Sequence, residues 1–218
     1  VSDLDVTYKK LYQLLDQLQL TIYQPSLYIY PSKREKYEIA LAGNKANLTQ
    51  LGRESGMKKL MMINLLKRLE SSVAAFRYTL IDVVKSYVDE TLKAISTYEQ
   101  TGLDALSGVP VLNEDDFDIE DSNLDVFIGK KNRIALKDMD YRSWKLELEK
   151  DQSILLELEE LIDQITPTED KKLQTLYRLI DEKMTHPINE GNKKLIIFSA
   201  FATTTNYLYK HISQYVLD

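Results

Sequence analysis

From Met57 to Thr101 the chain contains neither glycine nor proline. Apolar residues recur there at steps of three and four: Leu66, Leu69, Val73, Phe76, Leu80, Val83 and Tyr87. Such a period, sustained with nothing to break it, predicts one long helix with a heptad-like apolar seam. At about 1.5 Å rise per residue it would span roughly 60 Å, more than a compact core requires. A single apolar stripe must be covered, and a second seam supplies the cover. Trp144, Leu148, Leu155, Leu158, Ile162 and Ile165 keep helical spacing, with Asp151 breaking it once. Two seams joined by a polar loop predict an antiparallel helical hairpin over 57–165, each helix covering the other's stripe.

Around this hairpin the signals are shorter. Leu11, Leu14, Leu15 and Leu18 follow helical spacing and predict a first helix within Val6 to Leu20. The stretch "IYQPSLYIYPSKREKY" interrupts with two prolines and with Tyr23, Tyr28, Tyr30 and Tyr37, so the chain is expected to run extended or turned until about Lys36. Residues 1–56 therefore read as a helical and extended connector. Between the seams, about 104–138, the loop is rich in Gly, Asp and Asn, and is expected to be mobile at its acidic centre.

After Ile165, "TPTEDKKLQTLYRLIDEK" sets Thr166 as N-cap, Pro167 at the first helical position and Glu169 at the third, a capping box opening a helix to about Met184. "HPINEGN" breaks it, Leu195 to Phe198 read as a buried strand of parallel type, and Thr203 to Val216 as the next helix. The expected fold class is mainly α: a long antiparallel helical hairpin followed over 166–218 by a short helix-strand-helix piece. A strand without neighbours leaves its amides and carbonyls unpaired. That, with Val1 at one end and an amphipathic pattern running into the other, suggests a fragment of a longer chain.

The totals narrow the function classes. With 218 residues, 44% of them hydrophobic, the chain can bury one generous core or two small ones. It has no cysteine, so disulfides and thiolate metal sites are excluded and a cytoplasmic location is the default expectation. No long uncharged apolar run or signal peptide is readable, so no membrane partner is expected. A net charge of −6 argues against nucleic acid held by the whole surface. The charge is uneven, however: Glu114 to Asp125 holds seven acids and no base, and Arg53 to Lys93 holds eight bases against five acids. Two faces of opposite sign are expected.

Candidate chemistry fails position by position. Asp181 and Glu182 in "RLIDEKMTH" resemble a helicase magnesium pair, yet Leu173, Leu176, Ile180 and Met184 carry helical spacing through them and no phosphate loop lies upstream. "GKK" at Gly129 lacks the earlier glycine and the following Ser or Thr of a phosphate loop. Counted from Asp116, a calcium loop would need glycine where Asp121 stands and glutamate where Phe127 stands. His186 and His211, the two histidines, form no metal spacing. No catalytic or metal residue is assigned, and no cofactor is expected in this chain. The basic cluster Lys58, Lys59, Lys67, Arg68 and Arg77 could contact phosphates, or simply flank the seam as solvated charge.

Two stretches carry a resemblance: "LLKRLESSVAAFRYTL" at 65–80 and "KKLIIFSAFATTTNYLYKHI" at 193–212. They resemble bacterial Swi/Snf-like members of superfamily 2 helicases, in which an "LxKRLESSxxAF" helix precedes the second RecA-like lobe. There a "K-L-x-x-L" helix follows, matched here by Asp170 to Leu176, and then the "K-[VL]-[IL]-I-F-S-x-F" strand called motif IV. The resemblance covers Met57 to Leu80 and Asp170 to the C-terminus, the first motif being the more specific.

The resemblance implies an ATP-driven motor on duplex DNA, with ATP and magnesium between two RecA-like lobes. This chain would be the inter-lobe segment, with the rest of the same polypeptide and DNA as partners. Carried over by motif, Lys67, Arg68, Ser199 and Thr203 are the candidates for nucleic-acid backbone contact. Walker A, the DExx box and the arginine-bearing motif VI are absent, so the chain alone is not expected to hydrolyse ATP. The insertion Tyr78 to Ile165 would be a helical protrusion. The alternative is a stand-alone helical interaction module, and a dimer through exposed apolar surface is a further expectation.

Overall fold

The computed structural model of the chain describes residues 3–37, 50–103, 109–111 and 132–217. The expected mobile acidic centre, the calcium-like run and the "GKK" stretch at Gly129 lie outside the described residues.

The described chain is mainly helical. Helix α1 (Asp3–Gln17), with Leu18 just past its end, is followed by three 3-10 turns, Thr21–Tyr23, Pro25–Tyr28 and Pro31–Lys33. Pro25 and Pro31 each open a turn, where a missing amide hydrogen removes no bond. Helices α2 (Gln50–Ser71) and α3 (Val73–Arg77) lead into a π-helical stretch, Tyr78–Lys85, and then α4 (Ser86–Thr101), which Gly102 ends in the left-handed conformation. Strands β1 (Val109–Val111) and β2 (Asn132–Ile134) pair antiparallel. Helices α5 (Tyr141–Asp163), α6 (Lys171–Thr185) and α7 (Ala202–Leu217) complete the chain.

The segment from α3 to α4 lies antiparallel against α5. Arg77 pairs with Asp163, Lys85 with Glu159 and Glu99 with Lys145, so sequence numbers rise on one side as they fall on the other. Trp144, Leu148, Leu155, Leu158 and Ile162 of the second seam are buried, while Ile165, past the end of α5, is only partly covered. The first seam differs from the expected one. The helix expected to run unbroken from Met57 is interrupted at Ser72, whose backbone is extended (φ −156°, ψ 154°). A π stretch then winds more residues into each turn than an α-helix. Of the expected first seam, Leu69, Phe76, Leu80 and Tyr87 are buried, whereas Leu66, Val73 and Val83 are only partly covered; Met57, Met61, Leu65, Ile81, Val84 and Val88 are buried beside them.

Helix α1 joins the same core through Leu11, Leu14, Leu15 and Leu18. Buried carboxylates hold the 3-10 segment in place. Asp151 Oδ1 and Oδ2 accept from the amides of Gln19 and Thr21 at 2.8 and 2.7 Å. Glu54 takes the amide and hydroxyl of Ser26 at 3.1 and 2.6 Å, and Gln50 Nε2 at 3.1 Å. Asp138 accepts from Lys36 Nζ and Tyr37 Oη, both at 2.7 Å, and these bonds hold its carboxyl below the usual carboxylate range.

Two corrections concern the C-terminal region. Thr166 is not the N-cap of α6: that role belongs to Asp170, whose carboxylate accepts from the amides of Lys172 and Leu173. The Thr166–Glu169 pair forms all the same, with Glu169 Oε2 accepting the Thr166 amide at 3.0 Å, but it closes a turn ahead of the helix. The strand expected at Leu195 to Phe198 is not formed. Residues 193–199 carry no regular structure, because no strand lies beside them among the described residues and a ladder needs a partner. The helix-strand-helix piece is thus helix, irregular chain, helix, with Phe198 89% exposed and Ile196 76% exposed.

Candidate functional site

Tandem serines end α2. A serine hydroxyl competes well for backbone amides, which disfavours a helix interior and favours a cap. Ser72 leaves the helical conformation and its Oγ accepts the Ala75 amide at 3.0 Å, starting α3 afresh. The Ser72 amide still donates to the Arg68 carbonyl at 2.9 Å, so the break bends the chain without separating the two helices.

The first turn of α7 docks at this bend. Thr204 Oγ1 lies 2.8 Å from Ser71 Oγ and 2.8 Å from Ser72 Oγ. Ser72 and Thr204 are both buried. Beside them the Arg68 guanidinium sits over the Phe201 ring, 4.6 Å from its centroid, a cation–π contact in a desolvated setting. The two motif-bearing stretches, separated by 132 residues at Ser72 and Thr204, therefore meet at one junction.

Further contacts clasp α6 and α7 together. Tyr207 Oη donates to Asp170 Oδ2 at 3.0 Å, Tyr215 Oη to Asp181 Oδ2 at 2.7 Å, and Tyr177 stacks on Tyr215 at 4.0 Å. Burial first, then the Asp170 charge and hydrogen bond, push the Tyr207 phenol well above its ordinary value. Lys172 Nζ donates to the Glu70 carbonyl, tying the start of α6 to the end of α2.

The four candidate contact residues fall into different settings. Lys67 is exposed on α2. Arg68 is 2% exposed and engaged with Phe201, so it presents almost no surface to a phosphate in this arrangement. Ser199 is exposed and exchanges hydrogen bonds with the Phe201 backbone at 3.2 Å, and Thr203 is half-buried in the first turn of α7. The junction thus brings Arg68 to the second motif and leaves Lys67, Ser199 and Thr203 at or near solvent. No family model, no curated protein and no solved structure matches the chain.

Sequence reasoning did not single out Ser71, Ser72, Phe201, Thr204 or Asp170. The available signal was the Ser-Ser pair inside an otherwise uninterrupted helical pattern. Two concavities lie nearby. One, about 360 Å³, is lined by Tyr8, Tyr12, Leu69, Val73, Asp170 and Lys172. The other, about 530 Å³, runs along α7 past Ile197, Leu208, Tyr209, Ile212 and Val216 and has no charged residue in its lining. Among the described residues no group of three or more His, Asp or Glu could hold a metal ion, and no helix is long and apolar enough to cross a membrane.

Proposed function

We propose that this chain is the inter-lobe segment of an ATP-driven DNA translocase of the Swi/Snf-like superfamily 2. The observation that supports the reading is the junction: two stretches that resemble that family, in the family's order, contact each other through Arg68, Ser71, Ser72, Phe201 and Thr204. On this reading residues 166–218 open the second RecA-like lobe. Leu195 to Phe198 become a strand once neighbouring strands lie beside them, and the uncharged groove of α7 is covered by the same sheet. ATP and magnesium bind elsewhere in the motor, and this segment contributes backbone contacts from Lys67, Ser199 and Thr203.

Titration of a labelled duplex with the chain at increasing salt tests this. A charged backbone interface gives an affinity that falls steeply with salt, and Lys67→Ala lowers the salt slope by about one without altering base preference. Absence of binding at low salt removes the DNA reading. It would favour the second one, a helical protein-interaction module, for which the uncharged groove on α7 is the supporting feature.

A further inference from the structure

Helix α7 has sixteen residues, and its one buried side chain is Thr204, a hydroxyl rather than an apolar group. Its other inward residues, among them Tyr207, Leu208 and Ile212, are only partly covered. Apolar burial alone therefore holds this helix weakly; Tyr207 and Tyr215 tie it to α6, and a polar contact at Thr204 seats its first turn on the α2–α3 bend. The partners of that hydroxyl are the residues that shape the α2–α3 bend.

Ser72 Oγ has one hydrogen and two lone pairs. It accepts the Ala75 amide at 3.0 Å and lies 2.8 Å from Thr204 Oγ1. The cap that starts α3 and the contact that seats α7 thus share one atom. Thr204 Oγ1 also meets Ser71 Oγ, so it can donate to one serine and accept from the other, and both links are used. Arg68 and Phe201 close the same junction from the preceding turn of α2.

We propose that Thr204 is a positioning latch: its hydroxyl couples the seating of α7 to the helix break at Ser72, so that release at one end loosens the other. The exposed residues before α7, including Ser199, then move with the α2–α3 bend instead of independently of it. The latch is a property of the fold and stands whether or not the motor reading does.

Hydrogen–deuterium exchange on the full chain reads both ends at once. Thr204→Val removes both hydroxyl links at nearly constant shape, and each lost buried hydrogen bond is worth enough to predict roughly tenfold faster exchange. The acceleration is expected in α7 and also at the Ala75 to Arg77 amides. Thr204→Ser, which keeps the hydroxyl, stays within about twofold of the parent on the same argument. Combining Ser72→Ala with Thr204→Val adds little beyond the larger single effect. Faster exchange in α7 alone, no change at either end, equal effects of Ser and Val, or simple additivity each overturn the latch. Should Thr204→Val fail to fold, Ser71→Ala, which removes one link and spares the cap, must still speed exchange at both ends or the proposal fails.

Discussion

Asp151 and Thr21 are 130 residues apart, and the Asp151 carboxylate accepts the Thr21 amide at 2.7 Å in the core. Its other oxygen takes the Gln19 amide at 2.8 Å. Between these amides Leu20 adopts a left-handed backbone, φ 50°, which is costly for a residue with a branched side chain. The acid at the seam position of α5 therefore holds a strained turn that leads out of α1. Asp151→Ala leaves two amides without acceptors and should lower stability by about 3 kcal/mol, with an unchanged denaturant slope. Urea unfolding checks this, and a loss below about 0.5 kcal/mol would contradict the role given to Asp151.

Burial raises the Glu54 carboxyl to about 7 despite the hydrogen bonds from Ser26 and Gln50, which favour the charged form. The folded value exceeds the unfolded one, so the native state holds the proton between them. Stability from this group is complete below about 4.5 and is lost as pH rises through about 7. The loss is of order 3 kcal/mol, at about 1.4 kcal/mol per pH unit. Glu54→Gln is expected to remove this dependence and to be more stable than the parent at pH ~8. Equal pH profiles for the two proteins would refute the assignment.

Along the hairpin, Arg77, Lys85, Asp89, Glu159 and Asp163 form a lattice of ion pairs at 2.9 to 3.9 Å. Their side chains are 17–52% exposed, so solvent screens them. Asp163→Asn should change stability by less than about 1 kcal/mol, and the difference should vanish near 1 M salt, where screening acts over about 3 Å. Unfolding measured at low and high salt decides it.

Trp144 is fully buried, packs near Tyr28 and donates its indole N–H to the Thr21 carbonyl at 3.2 Å. It is the single tryptophan of the chain, so its emission reports the contact between α5 and the 3-10 segment. Emission should be blue-shifted and poorly quenched in the native state and should redden on unfolding. Trp144→Phe removes a hydrogen bond and leaves a void, at about 2–3 kcal/mol. Stability within about 0.5 kcal/mol of the parent would show that the indole is not wedged as described.

The hairpin was legible because helical spacing is local. Trp144 through Ile162 read correctly as buried from the α5 sequence alone. Asp151 read as a flaw in the seam, since nothing near it in sequence reveals that Gln19 and Thr21 present amides to it. The break at Ser72 was marked in the sequence only by the Ser71–Ser72 pair. Serine is tolerated within helices, and what makes this one a cap is a bend that packs against α7. Lys67 and Arg68 looked equivalent as neighbouring bases, yet one faces solvent and the other is buried with its guanidinium over the Phe201 ring.

What the sequence determined by itself is the mainly helical class, the two apolar seams and their antiparallel association, because these follow from periodicity and from the need to cover a stripe. Tertiary structure alone decided three things: the break of the first seam at Ser72, the irregular state of Leu195 to Phe198, and the meeting of Ser71, Ser72 and Thr204. The reason is physical. A helix satisfies its own backbone and can be read one turn at a time, whereas a strand, a buried carboxylate and a hydroxyl latch are each completed by residues that only folding brings beside them.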